Sequence, residues 1–176
     1  PGFISPVGGK SLLGLAGFDL NGNVDATFGF PWILAGGNRN YNGALDIALG
    51  AGDRVHVVGR NLAFSGGNNG VWVTLDRDGK EIFGLGGTEG PTLVAEQPDG
   101  KVLLAGAFTT PGGPAKLIRR LPTGELDATF NANPPGNVLL LRLMPDGRAL
   151  ISGPATTGYP YVVVLKADGS VEPSFN

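Results

Sequence analysis

The sequence is short of the residues that carry most metal and redox chemistry. It contains no cysteine, which excludes disulfide bonds, thiol catalysis and zinc–thiolate sites. It contains one histidine, His56, and a single imidazole without cysteine cannot build a common zinc site. Charged residues make up 16% of the chain, and the net charge of −2 leaves no basic surplus to neutralise phosphates. We therefore expect no metal, no cofactor and no nucleic-acid partner.

Longer signatures of known function classes are missing as well. No apolar run approaches the roughly 20 residues of a membrane span, and no signal peptide is recognisable. The segment Gly84–Gly90 has no Lys-Ser or Lys-Thr pair for a phosphate loop, and the sialidase-type Asp-box is absent. A Ser-His-Asp arrangement is not expected, because His56 is the only available base. Paired carboxylates for glycoside hydrolysis stay open, because the sequence does not give their separation in space.

Glycine is what the chain has in excess. It accounts for 31 of 176 residues, against the usual ~7%, and there are 14 prolines. The glycines follow no collagen period and fall between short apolar runs, which is the pattern of a turn-rich all-β protein. Hydrophobic residues make up 41% of the chain, enough for a packed core.

Two motifs recur at intervals of 45 to 47 residues, apart from one step of 57 residues between Gly22 and Gly79 in the second motif. The first is a turn, then apolar residues, then a glycine, and it occupies Gly52–Gly59, Asp99–Gly106 and Asp146–Gly153. The second is a turn glycine followed by an acid and a phenylalanine, and it occupies 21–28, 123–130 and 168–175. A shortened copy of the second motif lies at 78–83. This period and the short β-branched segments favour propeller blades over helical repeats.

One unit shows how a blade would be built. We predict strands at 92–96, 102–105, 117–121 and 126–130, with a Pro/Gly loop at Thr110–Pro114. Asp99-Gly100 predicts a type I′ hairpin turn, in which both central residues have positive φ. The predicted fold class is therefore all-β, with tandem four-stranded antiparallel blades of a β-propeller.

The motifs resemble the delta-60 repeat family of bacterial β-propeller-like repeats. The resemblance lies in Gln97-Pro98-Asp99-Gly100-Lys101, in Arg120-Leu121, and in Gly124 with Leu126-Asp127-Ala128-Thr129-Phe130. It covers nearly the whole chain, and the second unit departs most, because Gly52-Asp53 inverts the turn pair. The resemblance implies an exported or surface-displayed bacterial protein, an extracytoplasmic location and no shared catalytic residues.

The repeats divide the chain into about three and a half units of one propeller-type domain. We predict the closing half of a blade at 1–28, a repeat at 29–84 with an inserted loop at 31–43, and further repeats at 85–131 and 132–176. Three and a half blades cannot close a ring, since rings need roughly four or more. We therefore expect either a partial ring within a longer propeller or a ring completed by a second copy.

The inserted loop is the main candidate binding site. It adds about eight to ten residues to its unit, and extra loop length on a rigid scaffold is where binding tends to occur. It also contains residue types favoured at interface hot spots. The candidate partner-binding residues are Trp32, Asn38, Arg39, Asn40 and Tyr41. The alternative is a tolerated surface excursion with Trp32 packed in the core. If the loop binds, deleting residues 32–41 spares folding and weakens a partner contact.

The remaining polar candidates have structural explanations. His56 lies between two valines of a strand and is expected to be structural or solvent-facing. Asp19–Asp25 has a faint likeness to a calcium loop, but its repeat copies share the turn and not the oxygens. The repeated acids Asp25, Asp127 and Glu172 are expected to accept hydrogen bonds from adjoining turn amides or from the Thr or Ser that follows.

The leading hypothesis is a non-enzymatic scaffold or protein-interaction module of an exported or surface protein. Its partner would be protein, including further repeats of the same chain or a second copy. One alternative is a carbohydrate-binding or carbohydrate-cleaving propeller. Another is an accessory subunit of a large protein assembly, docked through open sheet edges.

Overall fold

The computed structural model describes residues 17–25, 27–28, 43–64 and 67–175. These contain ten strands in three antiparallel sheets whose strands follow one another in chain order. Blade A consists of β1 (Gly43–Leu49), β2 (Val55–Phe64), β3 (Gly67–Leu75) and β4 (Glu81–Gly86). Blade B consists of β5 (Gly90–Glu96), β6 (Val102–Thr110) and β7 (Gly113–Arg120), and blade C of β8 (Leu140–Leu143), β9 (Ala149–Gly153) and β10 (Tyr161–Leu165). Short 3-10 turns span Ala51–Asp53 and Pro173–Phe175.

The predicted fold class is confirmed, although the fourth strand is complete only in blade A. In blade B it shrinks to one bridge between Arg120 and Leu126, and in blade C to one bridge between Leu165 and Val171. The predicted Pro/Gly loop at Thr110–Pro114 is shorter than expected, because only Pro111 and Gly112 lie between the two strands. β6 and β7 form a hairpin that pairs Thr110 with Gly113.

The turns that join the strands repeat one hydrogen-bonding pattern, and it differs from the predicted type I′ turn. Gly100 N donates to Gln97 O (2.9 Å) and Gln97 N donates to Lys101 O (2.7 Å), which closes a three-residue loop. Gly100 has φ +80, whereas Asp99 is not among the described residues of positive φ. This is a type I turn followed by a glycine in the left-handed region. The same pattern recurs at glycines 22, 79, 124, 147 and 169.

The glycine that ends each copy of the first motif marks a strand irregularity. The register of β5 and β6 shifts between Pro91 and Leu93, opposite Gly106, which has φ +155. A Cβ at Gly106 would overlap the carbonyl oxygen of Gly90. Gly59 and Gly153 face a carbonyl oxygen in the same way. The motif therefore requires glycine because two backbones approach closely at this point.

The blades stack face to face, and their first strands β1, β5 and β8 pack side by side. One core, which contains Val58, Trp72 and Leu104, fills the junction between blades A and B. A second, which contains Leu103, Leu141 and Ile151, fills the junction between blades B and C. Because strand residues alternate between faces, Leu103 packs toward blade C while Leu104 packs toward blade A. Across the described ranges, no helix is long and apolar enough to cross a membrane.

Candidate functional site

The junction between blades A and B contains a buried polar cluster, which we call the His56 cluster. It consists of His56 on β2, Thr74 and Trp72 on β3, Arg54 just before β2, and Glu96 at the end of β5. His56 lies directly opposite Thr74 in the register of β2 and β3. Glu96 comes from the neighbouring sheet, so the cluster forms only when the two blades are stacked.

The hydrogen bonds of the His56 cluster determine where the imidazole proton lies. Trp72 Nε1 approaches His56 Nδ1 at 3.3 Å, and Thr74 Oγ1 lies 2.9 Å from the same nitrogen. Because an indole N–H only donates, Nδ1 is the acceptor and the proton of the neutral ring lies on Nε2. Nε2 then donates to Glu96 Oε2. The imidazole is thereby held at both nitrogens.

The second oxygen of Glu96 is also occupied. Oε1 accepts hydrogen bonds from Arg54 Nη2 at 2.8 Å and from the amide of Ala51 at 3.0 Å. Only 2% of the Glu96 side chain is exposed. A Cβ at Gly50 would overlap the carboxylate of Glu96, so the glycine makes room for it. A buried carboxylate is stabilised only when it is paired in this way.

These contacts set the protonation states of the pair. Burial lowers the pKa of His56 below its ordinary value, and this effect outweighs the opposing influence of Glu96. Burial alone would raise the pKa of Glu96. The hydrogen bonds from His56 and from the Ala51 amide, with the charge of Arg54, nevertheless hold it below its ordinary value. At neutral pH the imidazole is therefore neutral and the carboxylate ionised.

His56 and Glu96 differ from the residues at the same positions of the other repeats. One repeat later the position of His56 is occupied by Leu103, and the position of Glu96 by Leu143. The other copies of these two positions, Leu150 and Leu49, are also leucine. An apolar residue thus satisfies the fold at both positions in the other units. The polar pair is specific to the junction between blades A and B.

A Ser-His-Asp arrangement was not expected from the sequence, yet the hydroxyl of Thr74 contacts the only imidazole, His56, at 2.9 Å. The arrangement of hydroxyl, imidazole and carboxylate is suited to proton transfer. However, Thr74 is 5% exposed, and the adjoining cavity measures about 40 Å³. Ligand pockets usually measure roughly 300–1,000 Å³. This cavity has room for water but not for a substrate.

A second buried polar cluster joins blades B and C. Arg119 Nε donates to Asp127 Oδ2 at 2.9 Å, while Nη1 donates to Gln97 Oε1 at 3.3 Å and to the carbonyl of Ala167 in blade C. The guanidinium carbon lies 4.7 Å from the centre of the Phe130 ring. Gln97 Nε2 donates to the carbonyl of Gly147 at 3.1 Å. Arg119 therefore holds two blades together.

The structural explanation of the repeated acids is confirmed. Asp127 Oδ1 accepts hydrogen bonds from the hydroxyl and the amide of Thr129, at 2.6 and 3.0 Å. Asp25 and Glu172 accept the same pair from the Thr or Ser two residues later. The bonds from Thr129, with Arg119, lower the pKa of Asp127 to about 2.

The Asp19–Asp25 segment also behaves as a turn. Asp19 Oδ1 accepts hydrogen bonds from the amides of Asn21 and Asn23, at 2.9 and 2.8 Å. Its other oxygen accepts one from the Asn23 side chain. Across the part of the chain that the structure describes, no three acidic or histidine side chains group as metal ligands. The predicted binding residues Trp32, Asn38, Arg39, Asn40 and Tyr41 lie outside the described residues, and their role stays a prediction.

One apolar surface was not anticipated from the sequence. Leu45, Ile47 and Leu49 alternate along β1 and share one face, which we call the β1 stripe. Ile47 is 52% exposed, whereas its repeat copies Val94 and Leu141 are 4% and 3% exposed because the preceding blade covers them. The sequence contains the pattern, because the alternating apolar residues of β1 can be aligned with the corresponding strands of the other units.

Comparison with known proteins supports the repeat type. Residues 97–130 match the family model described as "Domain of unknown function (DUF5122) beta-propeller". The matched segment runs from the Gln97 turn through Arg119 and Asp127 to Phe130. It supports a β-propeller-like repeat and does not single out the delta-60 family. No curated protein matches the chain.

Proposed function

We propose that the chain is a non-enzymatic β-propeller module that binds protein through the open face of blade A. The observation that carries this proposal is the exposure of Ile47. The same repeat position is buried by a neighbouring blade in both other units. Leu45 and Leu49 extend the exposed surface along β1, at 54% and 81%.

The chemistry of the β1 stripe favours a protein partner. Its exposed side chains are apolar, and contiguous apolar surface of this kind marks interaction sites. A sugar or phosphate ligand would need convergent polar groups; the three stripe residues provide none, and the charged side chains beside Ile47 and Leu49 are those of Asp46, Glu96 and Arg142. An alternating apolar strand face fits another sheet, as the A–B and B–C junctions illustrate.

The test is the native mass of the full chain as a function of concentration, measured by light scattering. We expect concentration-dependent association that Ile47→Asp abolishes, because docking would bury an unpaired carboxylate. Tyr159→Asp is the matched control, since this exposed residue lies between β9 and β10. A strictly monomeric chain would exclude a second copy as the partner, and an equal effect of both variants would contradict the proposal.

The proposed non-enzymatic role and the proposed location rest on sequence. The resemblance to exported bacterial repeat proteins supports an extracytoplasmic site, and cell fractionation of the native host protein tests it. Recovery in the cytoplasmic fraction would contradict that location without affecting the binding proposal.

A further inference from the structure

We infer that the β1 stripe is the binding surface for a two-stranded hairpin of the same repeat class. This hairpin supplies the first two strands, or inner half, of a preceding blade. This inference rests on the proposed function and names the partner's chemistry. The occupant is defined by an interface that the structure already contains in part.

The first argument is that residues 17–28 reproduce residues 119–130 of blade B, which begin at the end of its third strand and which we call the outer end of the blade. The bridge between Phe18 and Val24 corresponds to the bridge between Arg120 and Leu126, 102 positions later. Asp25 N donates to Gly17 O at 2.8 Å, as Asp127 N donates to Arg119 O at 2.9 Å. This segment is therefore the outer part of another blade.

The second argument is that this outer part is already docked on blade A. Phe28 packs against the core formed by Val57, Leu62, Val73 and Leu75. Its counterpart Phe130 packs against the core between blades B and C in the same way. The outer half of the junction before blade A is therefore occupied, and the β1 stripe continues the same face inward.

The third argument comes from what covers the equivalent surface elsewhere. In blade C, Leu141 and Ile151 share a core with Ala95 on β5 and with Leu103 and Ala105 on β6. These three residues lie on the face of blade B that points toward blade C. A hairpin equivalent to β5–β6, placed beside residues 17–28, would present the same apolar positions to Ile47. The occupant is thus a β-hairpin with alternating apolar residues and a Pro-Asp-Gly-type turn.

The experiment titrates the full chain with a labelled peptide that has the sequence of residues 90–110, followed by fluorescence anisotropy. We expect saturable binding that Ile47→Asp in the protein weakens at least about tenfold. Leu103→Asp in the peptide should weaken it equally, because that side chain faces the stripe. Leu104→Asp should be tolerated, because it lies on the opposite face of the hairpin.

Isolated hairpins are marginally stable in water, so a fusion provides the second measurement. The same 21 residues are joined ahead of Pro1 through a flexible linker. We expect a higher Tm than that of the parent chain, and a larger loss of Tm on Ile47→Asp in the fusion than in the parent.

The outcomes separate the two proposals. If neither peptide nor fusion engages Ile47 while the chain still self-associates through it, the hairpin inference is overturned and the proposed function stands. Equal effects of Leu103→Asp and Leu104→Asp also overturn it. If Ile47→Asp changes neither association nor hairpin binding, both proposals are wrong.

Discussion

Replacing the His56–Glu96 pair by the leucines of the other units tests whether this pair is needed for the fold. The variants are His56→Leu, Glu96→Leu and the double variant. Glu96→Leu leaves the buried imidazole N–H without an acceptor, and His56→Leu removes a hydrogen bond from a buried carboxylate. Each single change should cost about 1–3 kcal/mol of unfolding free energy. The double variant should cost less than the sum of the two single changes, because neither member of the pair is then buried without the other, although the Trp72 N–H and the Thr74 hydroxyl still lose their partner.

The same pair predicts how stability depends on pH. The pKa of His56 is lower in the folded chain than its ordinary 6.5, so the unfolded state takes up protons first on acidification. The stability of the wild type should therefore fall as pH drops below about 6.5, by at most about 1.4 kcal/mol per pH unit. The pKa of Glu96 is also held low, so its contribution is present above pH 4.5 and is lost in more acidic solution.

The assay is urea unfolding followed by far-UV circular dichroism between pH 7.5 and 5.5. His56 is the only histidine in the sequence, so no other imidazole titrates in this window. His56→Leu should flatten the dependence. Gln97→Met introduces the residue of its repeat copy Met144 and should lower stability without changing the slope. A wild type that gains stability on acidification, or single and double variants that are strictly additive, would refute the reasoning.

Three further predictions concern the scaffold. Gly106→Ala should cost about 1–3 kcal/mol because its Cβ overlaps a carbonyl oxygen, whereas Gly90→Ala, with no neighbour closer than 3.9 Å, should cost under about 1 kcal/mol in thermal unfolding. Arg119→Met should cost about 1–3 kcal/mol because it removes the guanidinium from buried Asp127, which keeps its bonds from Thr129 and the Lys101 ammonium at 3.6 Å, whereas Arg148→Met, in an exposed pair, should change urea stability by under about 1 kcal/mol; similar losses would contradict the role of Arg119. The pKa of Asp127 is lowered from its ordinary 3.8 to about 2, so its contribution to the free energy of unfolding is present above pH 3.8 and is lost as the pH falls toward 2. Asp127→Asn should therefore reduce the dependence of stability on pH in that range. An unchanged pH dependence would contradict this.

The repeat spacing was sufficient to predict the sheets, because each motif carries a local physical requirement. The glycine at position 106 is needed where two backbones meet, and the acid at 127 is needed to hold its own turn. Such requirements recur in every unit and are therefore visible in one sequence. The type I′ turn was wrong because the loop has three residues, Pro98, Asp99 and Gly100, instead of two, and in this loop only the glycine adopts the left-handed conformation.

The His56 cluster could not be assembled from motifs, because its two principal members lie 40 residues apart in different sheets. What the sequence did contain was the departure from leucine at positions 56 and 96. Comparing the units position by position, rather than searching for known catalytic patterns, would have singled out both. The alternation of apolar residues in β1 was visible in the sequence, but the exposure of the β1 stripe required the structure, since alternation alone does not say which strand faces lack a neighbour.

The sequential order of the strands within each sheet also has a kinetic consequence. Neighbouring strands are joined by turns of a few residues, so forming one blade requires little loop closure. Each blade can thus begin to form as soon as its own 45 to 47 residues are available, and its neighbour can then condense onto it. Growth or shrinkage by one whole unit would leave every remaining turn and register unchanged. A chain of this kind can change its number of blades by duplication without a new folding route.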